Sequence, residues 1–263
     1  MNSSFPSQLA WILTSFMGAH PEIRKRQMTT CEVVESIIKP AMTQKTQRYA
    51  DLLKLPMKGS SRGGKELVSD GHPFFYVVHV WSCPFAEMID QLVTFTVRNG
   101  LKANETFVWI DIFAINQTKA SLSGMSDDAI PQVEEVIMDA QETLVVIDKR
   151  GLILQRMWCL WEVWTTIMVK AQGRAAIIPL RYGLRMEPLR PLVNALDVKR
   201  KSVATYHESD KERLMMSIDR AIGGAQSMNL DIKGLFLLLK DTDPVAQEPL
   251  VNYATINKED IET

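Results

Sequence analysis

Three short runs in this chain set polar side chains among aromatic and branched ones, at spacings that can do chemistry. The first is Arg156-Met157-Trp158-Cys159-Leu160-Trp161-Glu162-Val163-Trp164. At helical period, Leu160, Val163, Trp164 and Ile167 form one stripe that faces a sheet. Glu162 points to the other side, which it shares with Trp158, Thr165 and Val169. A solvated glutamate is the plain reading, but tryptophan and valine make a poor face for water. The face reads better as a cleft wall or a contact with another chain. A carboxylate pressed against an indole has a raised pKa, as functional carboxylates often do.

The second run is Val108-Trp109-Ile110-Asp111-Ile112-Phe113-Ala114-Ile115-Asn116-Gln117. A buried strand ends in an acid, and the turn after it carries two amides. Such groups can bond the hydroxyls or amides of a ligand, and can equally bond loop backbone. The third run, Val78-His79-Val80-Trp81-Ser82-Cys83-Pro84-Phe85, closes the first strand of the same pattern.

Other motifs carry less. Gly59 to Lys65 fits G-x-x-x-x-G-K, but Glu66 stands where a phosphate loop needs Ser or Thr, and no apolar strand leads into it. No G-x-G-x-x-G follows a strand, and G-x-S-x-G and H-E-x-x-H are absent. A Cys159–His79 nucleophile pair is conceivable at a helix start, where a thiolate is favoured. A small thiol in a tryptophan-rich helix is more simply core.

The elements that must position these runs follow from periodicity. The first 55 or so residues read as helical, with residues 30–38 behind a threonine cap signal and a second stretch at 47–55. Residues 58–65 have linker composition, so the expected organisation is a helical extension and linker over 1–70, an α/β domain over 71–240 and a tail over 241–263. Strands are expected at 74–81, 106–113, 143–147, 174–180 and 201–206. Helices are expected at 85–97, 127–140, 157–170, 185–196, 209–222 and 232–239. Single helices between strands imply right-handed crossovers, hence a flavodoxin-like parallel sheet of about five strands flanked by helices. Ligands of such sheets sit beyond the carboxyl ends of the strands, which puts residues 79–84, 111–117 and 148–156 on the functional rim.

Composition narrows the function classes. Lys plus Arg number 30 and Asp plus Glu 31, so the basic excess of a nucleic-acid binder is missing. No run reaches the roughly 18 apolar residues of a membrane span. The three cysteines are odd in number and lack zinc-type spacing, which implies thiols in a reducing, cytoplasmic compartment.

Taken in order, the three runs resemble a known family. Trp158-Cys159-Leu160-x-Glu162-Val163 resembles the W-C-L-x-E-L element of TIR domains, on the helix after the third strand. Trp109-Ile110-Asp111 with Ile115-Asn116-Gln117 resembles the W-I-D-x-x-C-I-N-Q element of the HET domains of fungal heterokaryon incompatibility. Val78 to Phe85 resembles the first-strand element S-H-x-W-G-x-P-F of TIR-like proteins in algae and other microbial eukaryotes. The likeness covers about residues 74–206. The chain departs from it at Ala114, where cysteine is common, at His79, where many TIR domains carry serine, and in the long loop over 118–126.

The resemblance implies an enzyme that cleaves NAD+ as substrate, with no cofactor, by hydrolysis or cyclisation at the nicotinamide–ribose bond, in a signalling or defence response. It implies Glu162 as the catalytic carboxylate. Beside it, the candidate substrate-binding residues, taken from the rim and from the Glu162 face, are His79, Trp81, Ser82, Phe85, Asp111, Phe113, Asn116, Gln117 and Trp158. Trp81 and Phe85 would stack on a base, and Ser82, Asp111, Asn116 and Gln117 would hold hydroxyls. One carboxylate suffices because nicotinamide leaves from a cationic ring and needs no proton, unlike an ordinary glycoside's leaving group. The resemblance also implies self-association as a homo-oligomer or TIR-type assembly. A non-catalytic adaptor is the alternative, and a sensor of nucleotide signals a third reading.

Overall fold

The computed structural model describes residues 7–42, 48–52, 73–117, 129–181, 183–200, 202–205 and 208–239. The linker at 58–65, the loop at 118–126, residues 127 and 128 of the helix expected at 127–140 and the tail lie outside these. The fold is α/β: a five-stranded, mostly parallel sheet flanked by helices, in the order β1-β3-β2-β4-β5. The strands are β1 Ser7–Gln8, β2 Phe74–Val78, β3 Phe107–Trp109, β4 Thr143–Val146 and β5 Ile177–Leu180. By its internal contacts the chain divides into two compact units, one of Met1–Val77, Trp81–Leu122 and Pro249–Thr263, the other of Val78–Val80 and Ser123–Glu248.

In the first unit β2 runs parallel to β3, with Phe75 opposite Val108. All five β2 residues are buried, which is why the strand reads as an unbroken apolar run rather than an alternating one. The helix Phe85–Arg98 buries Phe85, Met88, Ile89, Leu92, Val93 and Phe95 on one side. It ends at Asn99, after which Gly100 takes the left-handed conformation (φ +64°) that glycine adopts without steric cost.

The fifth strand is not the one the sequence leads to expect. Residues 202–205 contribute a single bridge, Arg156 to Ala204, and the sheet is completed from the N-terminal side. There β1 pairs antiparallel with β3, Ser7 opposite Val108 and Gln8 opposite Phe107. Leu9 and Ala10 extend the contact by donating to the carbonyls of Thr106 and Ala103. Polar Ser-Gln carries no strand signal; backbone pairing to an open sheet edge forms this strand.

From Leu9 the chain is helical through Ala19, with a π turn at Ile12–Phe16, and again from Thr30 to Ala41, with a second π turn at Val34–Ile38. The later run begins with a capping box. Thr29 accepts from the Glu32 amide, and the Thr29 amide donates to the Glu32 side chain, so two otherwise orphaned donors are satisfied. The short helix expected at 47–55 is Tyr49–Leu52. An aromatic cluster of Trp11, Phe16, Tyr49, Phe85 and Phe113 ties these segments together, with ring centroids 5.0–6.3 Å apart.

In the second unit β4 runs parallel to β5, with Val145 opposite Pro179. Proline has no N–H to give a second neighbour, so β5 suits the sheet edge. The strand starts at Ile177, and Gly173–Ala176 before it form a 3-10 turn. Among the described residues the α-helices of this unit are Ala129–Asp139, Met157–Val169, Arg190–Asn194, Glu208–Arg220 and Gly224–Leu237. Among the described residues no helix is long and apolar enough to cross a membrane.

Candidate functional site

The helix Met157–Val169 carries the first of the three runs. Arg156 at its N-cap makes no side-chain cap; the open Met157 amide donates instead to the Ala204 carbonyl. The helix is buried on most of its circumference: Met157, Cys159, Leu160, Trp161, Val163, Trp164, Thr165 and Thr166 are all inside. Thr165, which shares the face of Trp158 and Glu162 by period, is buried. Trp158 and Glu162, one turn apart, remain half-buried, and Met168 and Val169 are exposed.

Trp158 is held from two sides. Its ring meets Trp161 edge-on at 5.6 Å and 88°. Its indole Nε1 faces Asp210 Oδ2 at 3.4 Å. Asp210 is only 4% exposed, and Arg213 Nη1 lies 3.7 Å from its other oxygen. An acid can be buried here because it stands in the first turn of Glu208–Arg220, where the helix dipole favours negative charge. Sequence reasoning missed Asp210, although a signal was present: it sits four residues before Leu214 and eight before Ile218, on the buried stripe of that helix.

Cys159 and His79 meet, but not as a nucleophile and base. The thiol donates to the His79 backbone carbonyl at 3.2 Å, and both residues are buried. The other end of the helix is fixed by Asp231. It accepts from Trp164 Nε1 at 3.3 Å, Ser227 Oγ at 3.4 Å and Arg174 Nη2 at 2.8 Å.

The other two runs lie, apart from Val78–Val80, in the first unit. The apolar run expected as one strand over 106–113 stops at Trp109, and Asp111–Ala114 form a single helical turn. That turn aims the Asp111 carboxylate at Trp81, whose indole Nε1 donates to Oδ2 at 2.7 Å. Gln117 is buried, and its amide donates to the Asp111 carbonyl at 2.9 Å, closing the turn. Phe85 and Phe113 are fully buried in the aromatic cluster. Asn116 is half-buried and Ser82 exposed.

The turn Trp81–Pro84 is backed by the N-terminal helices. The Cys31 amide donates to the Trp81 carbonyl at 2.9 Å, and the Thr30 amide to that of Cys83 at 3.1 Å. None of the three cysteines forms a disulfide. Among the described residues no group of three or more His, Cys, Asp or Glu side chains is placed to hold a metal ion.

Comparison with protein-family models, curated proteins and solved structures returns no match to this chain.

Proposed function

We propose that this chain is a TIR-like NAD+ hydrolase or cyclase, acting in a signalling or defence response in the cytoplasm, with Glu162 as its catalytic carboxylate. The observation that supports this best is the place of Glu162. It stands half-buried, one turn after half-buried Trp158, in the second turn of the helix that follows β4. A glutamate in that position and sequence setting is what the W-C-L-x-E resemblance requires.

In the proposed reaction the C1′–N bond of the nicotinamide riboside breaks. Its electron pair neutralises the pyridinium, so neutral nicotinamide leaves without a proton. The ribose becomes oxocarbenium-like, and Glu162 stabilises that charge. Water then adds at C1′ and releases a proton to give ADP-ribose; if an adenine nitrogen adds instead, the product is cyclic. Trp158 supplies an aromatic wall beside the carboxylate.

The test is release of nicotinamide from NAD+, followed by chromatography at low and high protein concentration. Wild type is expected to release it and Glu162→Gln to lose at least about a hundredfold in rate. Equal inactivity of both at every concentration sinks the hydrolase reading. A second reading, a non-catalytic self-association module, is favoured by the exposed Met138, Met168 and Val169. Concentration-dependent assembly without turnover selects it.

A further inference from the structure

We infer that Lys211 is a positioning residue for the Glu162 carboxylate: it pins the turn 200–203, and that turn fixes where the helix Met157–Val169 begins. The functional half of this assignment rests on the reading of Glu162 as the carboxylate of an NAD+-cleaving site. All the residues concerned belong to the second unit.

A helix needs acceptors for its first amides, and Arg156 at the N-cap supplies none from its side chain. The Met157 amide donates instead to the Ala204 carbonyl at 3.1 Å, and the Ala204 amide donates to the Gln155 carbonyl at 2.9 Å. Together they make a one-residue parallel bridge, Arg156 to Ala204, at the entry to the helix. The turn before Ala204 supports that bridge. Its Val203 amide donates to the Arg200 carbonyl at 3.1 Å. Lys211 Nζ donates to the same Arg200 carbonyl at 2.8 Å and to the Val203 carbonyl at 2.6 Å.

The second of these bonds is the telling one. The Val203 carbonyl and the Ala204 amide are two ends of one peptide plane. Lys211 holds the oxygen end while Gln155 holds the N–H end, so the plane is gripped from opposite sides. A donor at the oxygen also polarises the peptide and strengthens its N–H as a donor. Bonds from an ammonium are about twice as strong as neutral ones. The lysine's own helix gives no reason for its place. Lys211 stands in the first turn of Glu208–Arg220, where the helix dipole disfavours a cation. Its charge is answered by the two carbonyls of the turn.

The link to Glu162 runs through the first turn of its helix. Trp158 lies in that turn, and in an α-helix the Glu162 amide bonds to the Trp158 carbonyl. When the entry loosens, residues 157–160 fray first, and the backbone bond that orients Glu162 is lost with them. A misplacement of about 1 Å at a reacting group can cost about a hundredfold in rate.

The test is backbone amide exchange followed by mass spectrometry, with nicotinamide release from NAD+ measured on the same proteins. Lys211→Met keeps the aliphatic stem and removes the ammonium. It is expected to speed exchange over 157–160 by about tenfold or more and to leave 163–169 unchanged. Its kcat is expected to fall about tenfold with KM within about twofold. Lys211→Arg still donates to both carbonyls and is expected to stay within about threefold of wild type in exchange and in kcat. Lys211→Gln, neutral and shorter, is expected to follow the methionine variant, and carries the test should that variant not fold. Unchanged exchange over 157–160 overturns the inference, because the turn then does not hold the helix entry. Equal acceleration over both stretches overturns it as well, because the lysine then serves stability alone. So does selective exchange with kcat unaltered in an active wild type. If wild type releases no nicotinamide while Lys211→Met exchanges selectively, the hydrolase reading fails and the control of the helix entry stands.

Discussion

Truncating Phe113 is the sharpest test of how the first unit is held together. The side chain is fully buried and meets Phe16 at 5.0 Å and 85°, Trp11 at 5.7 Å and 78°, Tyr49 at 5.8 Å and 45° and Phe85 at 6.2 Å and 86°. Three of these are edge-to-face contacts, the arrangement that adds about 0.5–1.5 kcal/mol per pair beyond area burial. Phe113→Ala removes the ring and leaves a cavity, for a loss of about 3–5 kcal/mol. Phe113→Leu keeps most of the apolar volume and is expected to cost about 1–2 kcal/mol. Against a total stability of about 5–15 kcal/mol, the alanine variant is near the limit of folding. The assay is urea unfolding followed by tryptophan fluorescence, reading the midpoint at unchanged slope. A double-mutant cycle with Phe16→Leu isolates the nearest pair, with a coupling of about 0.5–1.5 kcal/mol expected. A loss below about 1 kcal/mol for the alanine variant, or no coupling to Phe16, refutes the packing account.

Three further outcomes are expected. Glu32 has its pKa lowered, first by the Thr29 backbone N–H and then by the Thr29 hydroxyl. A depressed folded-state value means the contribution is complete above the ordinary glutamate range and is lost as pH falls through the folded value. Wild type should therefore lose more stability than Glu32→Gln between about pH 5 and pH 3; parallel loss in thermal unfolding defeats this. A Cβ at Gly234 would stand 2.9–3.1 Å from the Arg174 guanidinium, pushing it off Asp231. Gly234→Ala should thus yield its helix gain of up to about 1 kcal/mol only in an Arg174→Ala background, and equal gain in both backgrounds refutes the clash. Cys31 and Cys83 are half-buried and Cys159 is buried, so a thiol reagent should titrate two groups quickly in the native protein and the third only on unfolding. Three fast thiols would contradict the burial of Cys159.

What the sequence discloses and what it hides follow different physics. The run FFYVV announces β2 because a strand buried on both faces must be continuously apolar. The helix Phe85–Arg98 announces itself by period and by its glycine stop. The division of 106–113 into β3 and a helical turn is not legible, since an apolar run looks alike in either state and only Asp111 marks the change. Strand β1 is invisible because its cause is a partner edge about a hundred residues away. At the candidate site the half-buried Trp158–Glu162 stripe follows from helical spacing alone. The burial of Thr165 does not, because it depends on what packs against that side. Asp210 comes to Trp158 from 52 residues away, a pairing that no local pattern specifies.

The short β1 strand bears on how this chain reaches its native state. Gln8 Nε2 bonds to the Asn104 carbonyl across a separation of 96 residues. During synthesis, residues 7–10 therefore leave the ribosome long before the backbone they dock on exists. Contacts of such span are entropically late, so β3 first forms with one side open, a row of amides able to recruit a neighbouring chain. In the folded chain residues 7–10 cover that side. Deleting residues 1–10, or burdening them with a bulky fusion, should lower yield through aggregation of nascent chains well before it lowers the melting point of whatever protein survives.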